Sequence, residues 1–157
     1  MTDPAISCRR EELDSPVAAR LIGALNAELA AMYNDPRASH FRLDPAEVAP
    51  GRGAFLVAWS GGEAVGCGAV RLLDASTAEI KRMYVAADRR GGGIGRRVLE
   101  ALESEARTLG ATRILLETGV LQDRALALYR SYGFAVIPPY GEYVSSPETS
   151  VCMEKAL

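Results

Sequence analysis

A glycine-rich turn at residues 91–95 separates two different apolar patterns, and this change of pattern constrains the fold most strongly. Before the turn, residues 54–60, 64–73 and 77–86 are strand-length apolar runs joined by short turns, which predicts an antiparallel meander. After the turn, apolar residues recur at helical spacing over 94–109, which predicts an amphipathic helix. The chain must therefore combine a sheet with helices that pack against it.

A strand–helix–strand crossover follows from the same pattern. Residues 112–118 are apolar and strand-length, and a crossover of this length places them parallel to residues 77–86. The sequence therefore predicts an α/β (α+β) fold with a mixed, mostly antiparallel central sheet flanked by helices, in which these two strands form the parallel pair. The other predicted elements are a strand at 4–9, helices at 16–33 and 122–132, and strands at 134–138 and 150–156.

The length and the charge of the chain limit its class. With 157 residues, 48% of them apolar, the chain is long enough to bury a core, and we expect a single domain over 1–157. A net charge of −2 gives no reason to expect nucleic acid as a partner. The sequence lacks both an apolar run of about 18 residues and the order of a signal peptide, so we expect a cytoplasmic protein without membrane contact.

Cysteine and histidine are too scattered in the sequence to predict a metal site. The three cysteines, Cys8, Cys67 and Cys152, are far apart, they form no CxxC pair, and His40 is the single histidine. Zinc sites need clustered ligands of these types. We therefore expect no metal, and we expect Cys152 to act as a small buried apolar residue.

The glycine turn lies in the most basic part of the sequence. Residues 80–98 hold six cations and one acid, a local charge of +5 in a chain whose net charge is −2. Glycines ahead of a helix let backbone N–H groups point at a ligand, and the helix N-terminus adds positive potential. The combination predicts a phosphate-binding turn, although a glycine-rich loop with a solvated basic rim has the same composition. The dinucleotide pattern GxGxxG and the P-loop pattern GxxxxGK[ST] both fail here.

Two motifs at a matching separation resemble a known family. The run Arg90-Gly-Gly-Gly-Ile-Gly95 fits the pattern [Q/R]-x-x-G-x-[G/A], and the segment Ala125-Leu-Ala-Leu-Tyr-Arg-Ser-Tyr-Gly-Phe134 fits A-x-x-L-Y-x-x-x-G-F. Both patterns are signatures of the GCN5-related N-acetyltransferase (GNAT) family, which the chain resembles. The resemblance covers residues 54–156 well and the first 50 residues only by the order of the predicted elements.

The resemblance implies acetyl-coenzyme A (acetyl-CoA) as acetyl donor and co-substrate. In this family the amides of the glycine turn bind the pyrophosphate, and the preceding strand binds the pantetheine arm and polarises the thioester carbonyl. Gln122 stands where many members have an asparagine that contacts the pantetheine, and it offers the same amide from a longer side chain. The expected cofactor-binding residues are Met83, Tyr84, Val85, Arg90, Gly91, Gly92, Gly93, Ile94, Gly95, Arg96 and Gln122.

The resemblance also implies a general base and a general acid. Glu79 lies eleven positions before Arg90, the spacing at which family members with a glutamate base carry it, and we expect it to accept the amine proton directly or through a water. A strand-face carboxylate paired with Lys81 is the structural alternative. Glu117 on the neighbouring strand is the second candidate, and water is the third. The tyrosine of the Leu-Tyr pair, Tyr129, is the expected acid for the coenzyme thiolate.

The acceptor side is the least determined part of the sequence. By analogy with the family fold, the irregular segment 33–45 covers the acceptor pocket, and Tyr33, Arg42 and Tyr140 are the expected substrate-binding residues. Arg42 or Arg71 could bind a carboxylate through two hydrogen bonds. The identity of the acceptor stays open at this point.

These features together predict an N-acetyltransferase that moves an acetyl group from acetyl-CoA directly to a primary amine, in a complex that holds both substrates. The short chain and its proline-rich loops favour a small-molecule amine, while a protein amine stays open. The alternative is a non-catalytic acyl-CoA-binding sensor or regulatory protein, or a module for another phosphate ligand such as a nucleotide. Analogy with the family adds a homodimer to these expectations.

Overall fold

The computed structural model describes residues 5–35 and 43–157, and within them the chain forms seven strands and three α-helices. The elements are β1 (Ile6–Arg10), α1 (Pro16–Tyr33), β2 (Gly53–Ser60), β3 (Glu63–Leu72), β4 (Thr77–Val85), α2 (Ile94–Thr108), β5 (Arg113–Gly119), α3 (Asp123–Tyr132), β6 (Ala135–Ile137) and β7 (Ser150–Ala156). The predicted elements are confirmed, with the first strand starting two residues later than expected.

The strands form one sheet in the order β1-β2-β3-β4-β5-β7-β6. The β4–β5 pair is parallel, and the other neighbouring pairs are antiparallel. This is the mixed, mostly antiparallel sheet that the sequence predicts, with the parallel pair at the expected strands. A connection through α2 makes this pairing possible, since parallel strands need a crossover.

Hydrophobic clusters cover both faces of the sheet. On β2, Leu56 and Ala58 belong to the cluster that packs with α2, whereas Phe55 and Val57 belong to the cluster that packs with α1. This alternation follows from the two-residue period of a strand. It explains why β2 is apolar at almost every position: each of its faces lies under a helix.

The parallel ladder between β4 and β5 is short, and this positions the site. Pairing begins at Thr77 and stops at Ile80 on β4, although β4 continues to Val85. Next to the end of the ladder, Arg82 has a φ of 59°, in the left-handed region, and the register with β3 shifts between Cys67 and Ala69. A bulge of this kind bends a strand and re-aims its side chains. The ends of β4 and β5 therefore lie side by side without pairing with each other.

Local capping explains where α1 begins and ends. The Ser15 hydroxyl accepts a hydrogen bond from the Ala18 amide at 3.1 Å, with Pro16 in the first turn, as the sequence predicts. The residue after the helix, Asn34, has a φ of 50°, which stops the helical repeat. In the described part of the chain, no helix combines the length and the apolar character needed to cross a membrane.

Candidate active site

Two cavities meet where β4 and β5 stop pairing. The larger one, about 800 Å³, runs from the glycine turn along the end of β4 and the start of α3, and we call it the groove. The smaller one, about 330 Å³, lies between β4, β5 and the last turns of α1, and we call it the inner cavity. The residues that line both are Leu25, Met83, Gln122 and Tyr129.

The glycine turn offers unused backbone amides to the groove. Gly91 and Gly93 have φ values of 87° and 83°, a conformation that L side chains rarely adopt, so the backbone itself requires glycine at both positions. Gly93 is also the N-cap of α2. Among the hydrogen bonds of the described residues, no amide from Gly91 to Arg96 donates to a backbone carbonyl. The turn thus combines free donors with a helix N-terminus, as a phosphate cradle requires.

Gly95 lies where α2 approaches α3. A Cβ at this position would stand 2.8 Å from Leu128 Cδ2 on α3 and 3.6 Å from Val85 Cγ2 on β4. The first distance is shorter than real Cβ contacts, so the Leu128 side chain would have to shift to accommodate a larger residue. The motif glycine therefore permits this close contact beside the groove.

The Arg90 side chain is held by the protein rather than left open to a ligand. Its Nη1 lies 2.7 Å from Oε1 of Glu28 on α1, and its Nε donates to the Val85 carbonyl at 3.0 Å. The hydrogen bond and the charge of Glu28 raise the pKa of this guanidinium. Arg90 lines the groove, and it ties α1 to the turn that carries the free amides.

The other predicted cofactor-binding residues divide into two groups. In the described part of the chain, the groove lining includes Met83, Tyr84 and Val85 of β4, most of the motif turn, and Gln122 at the start of α3. Gly92 and Arg96 do not belong to that lining. Arg96 lies 3.6 Å from the Glu100 carboxylate, one helical turn along α2.

Glu117 supplies a carboxylate to the inner cavity. It lies on β5 beyond the end of the parallel ladder and accepts a hydrogen bond from the Ser150 hydroxyl at 2.6 Å. Burial raises its pKa, while the Ser150 hydrogen bond and the charge of Lys81 oppose that rise. A half-buried carboxylate with a raised pKa is a suitable proton acceptor near neutral pH.

Tyr129 lies where the two cavities join. Its side chain is 6% exposed, and its ring contacts Phe134 edge to face, with the centroids 5.9 Å apart. Burial raises the pKa of the hydroxyl well above its usual value, and the negative charge of Glu117 adds to this. The hydroxyl therefore keeps its proton at neutral pH and can donate it.

Glu79 is enclosed by other side chains. It is 1% exposed, its carboxylate lies 2.9 Å from the Arg71 guanidinium, and the Tyr140 hydroxyl donates to it at 2.5 Å. The structural alternative for Glu79, a pairing with Lys81, does not form, because Lys81 pairs with Glu142 at 3.1 Å. In the described part of the chain, neither Glu79 nor Tyr140 lines either cavity.

Three further residues were candidates for the acceptor side. Arg71 bridges the carboxylates of Glu79 and Glu47, so it is engaged in a structural ion pair and not placed for a substrate carboxylate. Tyr33 lines the inner cavity. Arg42 lies outside the described residues.

Sequence reasoning misses the roles of three residues of the site. Glu28 holds Arg90 across 62 positions, and Ser150 reaches Glu117 across 33. Arg82 lines the inner cavity at a left-handed backbone position. A helix-face glutamate and a strand-end serine carry no local signal, whereas the basic composition around Arg82 points to a phosphate and gives no sign of the inner cavity.

Comparisons with known proteins identify the family to which the chain belongs. Residues 20–134 match the acetyltransferase (GNAT) family. The chain is 42% identical over 155 residues to the IAA acetyltransferase of Azospirillum brasilense, covering 98% of this chain and 99% of that one. A Klebsiella pneumoniae protein classed with the acyl-CoA N-acyltransferases has a crystal structure that covers 97% of both chains, with a TM-score of 0.83 and 33% identity.

A second solved structure shares the fold and carries the coenzyme. This GNAT family acetyltransferase from Elizabethkingia anophelis has acetyl-CoA bound, and it matches 97% of this chain and 98% of its own with a TM-score of 0.70 and 18% identity. The motifs, the fold, the family match and the full-length relative are mutually consistent. The chain therefore belongs to the GNAT family and is an acetyl-CoA-dependent N-acetyltransferase.

Proposed function

We propose that the protein transfers the acetyl group of acetyl-CoA directly to the primary amine of a small molecule while both substrates are bound. The observation that carries this proposal is the junction of the two cavities at Met83 and Tyr129. A donor in the groove and an acceptor in the inner cavity would meet there, and holding two reactants together removes much of the entropic cost of their reaction.

The chain fits the donor through its backbone. The free amides of Gly91–Arg96 and the N-terminus of α2 suit a diphosphate. The end of β4, which no longer pairs with β5, offers main-chain groups at Met83 and Tyr84 to an extended arm. When bound, acetyl-CoA supplies an acetyl group activated as a thioester.

We assign the general base to Glu117 rather than to Glu79. An alkylammonium has a pKa of about 10, so the amine must lose a proton before its nitrogen can bond to the acetyl carbon. Glu117 lines the inner cavity and its pKa is raised, whereas the Glu79 carboxylate is engaged with Arg71 and Tyr140. Glu117 would take the amine proton, directly or through a water.

The general acid in this proposal is Tyr129. As the new C–N bond forms, the C–S bond breaks and leaves a thiolate that needs a proton. Tyr129 reaches the junction of the cavities and holds its proton firmly because of burial and the nearby Glu117 carboxylate. General acids of this kind contribute roughly 10²- to 10⁴-fold to rate.

A small acceptor fits the size of the inner cavity. Its volume of about 330 Å³ lies at the lower end of ligand pockets and leaves little room for a folded protein surface. The full-length relative from Azospirillum brasilense is named an IAA acetyltransferase, which also supports a small-molecule acceptor.

Calorimetry and a thiol-release assay together test the proposal. We expect acetyl-CoA to bind and ATP not to displace it, and we expect release of coenzyme thiol to depend on an added amine. A protein that binds acetyl-CoA but releases thiol with no member of a broad amine panel would be a sensor or regulator instead. Displacement of acetyl-CoA by ATP at similar concentrations would indicate a nucleotide module.

A further inference from the structure

Two consecutive residues of β4, Lys81 and Arg82, both line the inner cavity. Four consecutive residues, Ile80–Met83, line this cavity at the point where β4 stops pairing with β5. The backbone of Arg82 is left-handed, with a φ of 59°, and the register with β3 shifts nearby. The lining of the cavity that the chemistry is expected to use therefore includes two cations next to a bulge.

The backbone conformation of Arg82 is energetically unfavourable. A residue with a side chain in the left-handed region is strained, and such conformations concentrate at functional sites. The guanidinium is also largely removed from water, and burial lowers its pKa. Its Nη1 lies 3.4 Å from Oδ1 of Asn26 on α1, and Tyr143, which also lines the cavity, contributes to its surroundings.

Both cationic and acidic residues line the inner cavity, and they lie on different elements. In the described part of its lining, the cations are Lys81 and Arg82 and the acids are Asp35 and Glu117. Lys81 pairs with Glu142 at 3.1 Å. Arg82 and Glu117 lie on β4 and β5, beyond the point where those strands stop pairing. The cavity therefore presents opposite charges from two different strands.

We propose that the acceptor is an amino acid, whose carboxylate binds to Arg82 while its amino group faces Glu117. This inference rests on the proposed function, because it assigns the acceptor of the same site. A planar guanidinium suits a carboxylate better than any other side chain, since it can offer two parallel hydrogen bonds. A zwitterion also matches a lining that carries both signs of charge.

The rest of the lining indicates which amino acids to test. Leu29, Ile80 and Leu116 give the cavity an apolar wall, and Tyr143 adds an aromatic ring. An apolar side chain of moderate size would fill this space. We therefore choose L-leucine and L-phenylalanine as probes.

The experiment compares acceptors that differ only in the carboxylate. Each amino acid is assayed by thiol release beside its amide and its decarboxylated amine, which are leucinamide and isoamylamine, and phenylalaninamide and phenethylamine. We expect kcat/KM for the amino acid to exceed that for the amide by about 10- to 100-fold, the usual effect of a hydrogen bond to a charged group. The ammonium group of the amide loses its proton more easily than that of the amino acid. A higher kcat/KM for the amino acid therefore cannot come from easier deprotonation.

Variants of Arg82 identify the residue responsible. Arg82→Asn removes the charge but keeps a residue that tolerates the left-handed backbone, so the bulge should persist. We expect the preference for the amino acid over the amide to fall to nearly one, and we expect Arg82→Lys to restore part of it. The matched control is Arg107→Gln, an exposed arginine of α2 paired with Glu103, which should leave the preference unchanged.

The outcomes separate this inference from the proposed function. If amines are acetylated without preference for a carboxylate, or if Arg82→Asn keeps the preference while its acetyl-CoA affinity and Tm match the parent, the amino acid assignment is wrong and the transferase proposal stands. If no amine of any series releases thiol, both are overturned. Loss of acetyl-CoA binding in Arg82→Asn would show that Arg82 supports the donor instead, which also overturns the assignment.

Discussion

The hydroxyl of Tyr33 occupies the space in which a Cβ at Gly119 would stand. It accepts a hydrogen bond from the Leu121 amide at 3.1 Å and another from the Gln122 side chain. The last residue of α1 is thereby fastened to the loop after β5, beside the inner cavity that both elements line. Glycine at 119 is required by this close approach rather than by its own backbone conformation.

Gly119→Ala should damage both stability and activity. Because the methyl group and the Tyr33 hydroxyl compete for the same space, we expect the free energy of unfolding to fall by about 1–3 kcal/mol and kcat/KM to fall with it. Urea denaturation and the thiol-release assay measure the two effects. The matched control is Gly23→Ala in α1, where a Cβ meets nothing within 4 Å and stability should rise by about 0.5–1 kcal/mol. Unchanged stability in Gly119→Ala would mean that Tyr33 is not held as described.

Glu117→Gln and Glu79→Gln should separate the base from the structural carboxylate. If Glu117 accepts the amine proton, its glutamine variant should lose roughly 10²- to 10⁴-fold in kcat and lose the acid limb of the pH–rate profile. Glu79→Gln should keep that limb but lose about 3 kcal/mol of stability, because it breaks a buried ion pair with Arg71. A lost acid limb in Glu79→Gln, with the limb kept in Glu117→Gln, would return the base to Glu79.

The contrast between these two glutamates shows what the sequence could and could not predict. The repeating apolar patterns are local, so the helices, the strands and the parallel pair followed from them. For Glu79 the sequence offers Lys81, on the same strand face, as the structural alternative to a base role, but Glu79 lies opposite Arg71 across the β3–β4 ladder. Directly opposite residues lie closer than residues two apart on one strand. The register of the β3–β4 hairpin, which is not a local pattern, therefore decides this partner.

Other parts of the site depend on contacts that no local pattern encodes. The bulge at Arg82 arises from how β4 pairs with β3, and its sequence carries no glycine to mark a left-handed residue. The Arg90–Glu28 pair joins a motif to a helix face 62 positions away. The motifs therefore point to the backbone that lines the groove, whereas the acceptor side depends on contacts that appear only in the packed structure.

Tyr129→Phe should lower turnover far more than it weakens acetyl-CoA binding. The phenyl ring keeps the edge-to-face contact with Phe134 and removes only the hydroxyl, so the fold and the groove should persist. We expect kcat to fall by about 10²-fold or more and the dissociation constant of acetyl-CoA, measured by calorimetry, to stay within a few-fold. The matched control is Tyr132→Phe, whose hydroxyl is bonded to Glu103 on α2. Equal turnover in both variants would contradict the acid role.

Glu28→Gln should weaken acetyl-CoA binding without a direct contact to the donor. It removes the charge that holds the Arg90 guanidinium beside the glycine turn, so the amides of that turn should become less ordered. We expect a several-fold rise in the dissociation constant of acetyl-CoA, with kcat at saturating donor largely kept. Glu63→Gln is a suitable control, because it breaks the comparable ion pair of the neighbouring Arg89. If the two variants bind acetyl-CoA equally well, the Glu28 contact has no positioning role.

The raised pKa of Glu117 also predicts a specific pH dependence of stability. Burial lifts this pKa in the folded protein above the ordinary value of about 4.3, so between the two values the folded state binds more protons than the unfolded state. Stability from this group is therefore fully present below about pH 4.3 and is lost as pH rises through the folded pKa. Glu117→Gln cannot titrate, so its stability relative to the parent should increase across that window and then level off.

Urea denaturation of both proteins at closely spaced pH values measures this difference, and groups common to both proteins cancel from it. Ser150→Ala provides an independent check, since the Ser150 hydroxyl donates to Glu117 at 2.6 Å and lowers its pKa. Without that hydrogen bond the pKa should rise further, and both the stability window and the acid limb of the pH–rate profile should move to higher pH. If the acid limb of the pH–rate profile moves but the stability difference does not change with pH, another group controls the rate. A shift of both in the same direction ties the proton acceptor to Glu117, because the Ser150 hydroxyl donates to that carboxylate.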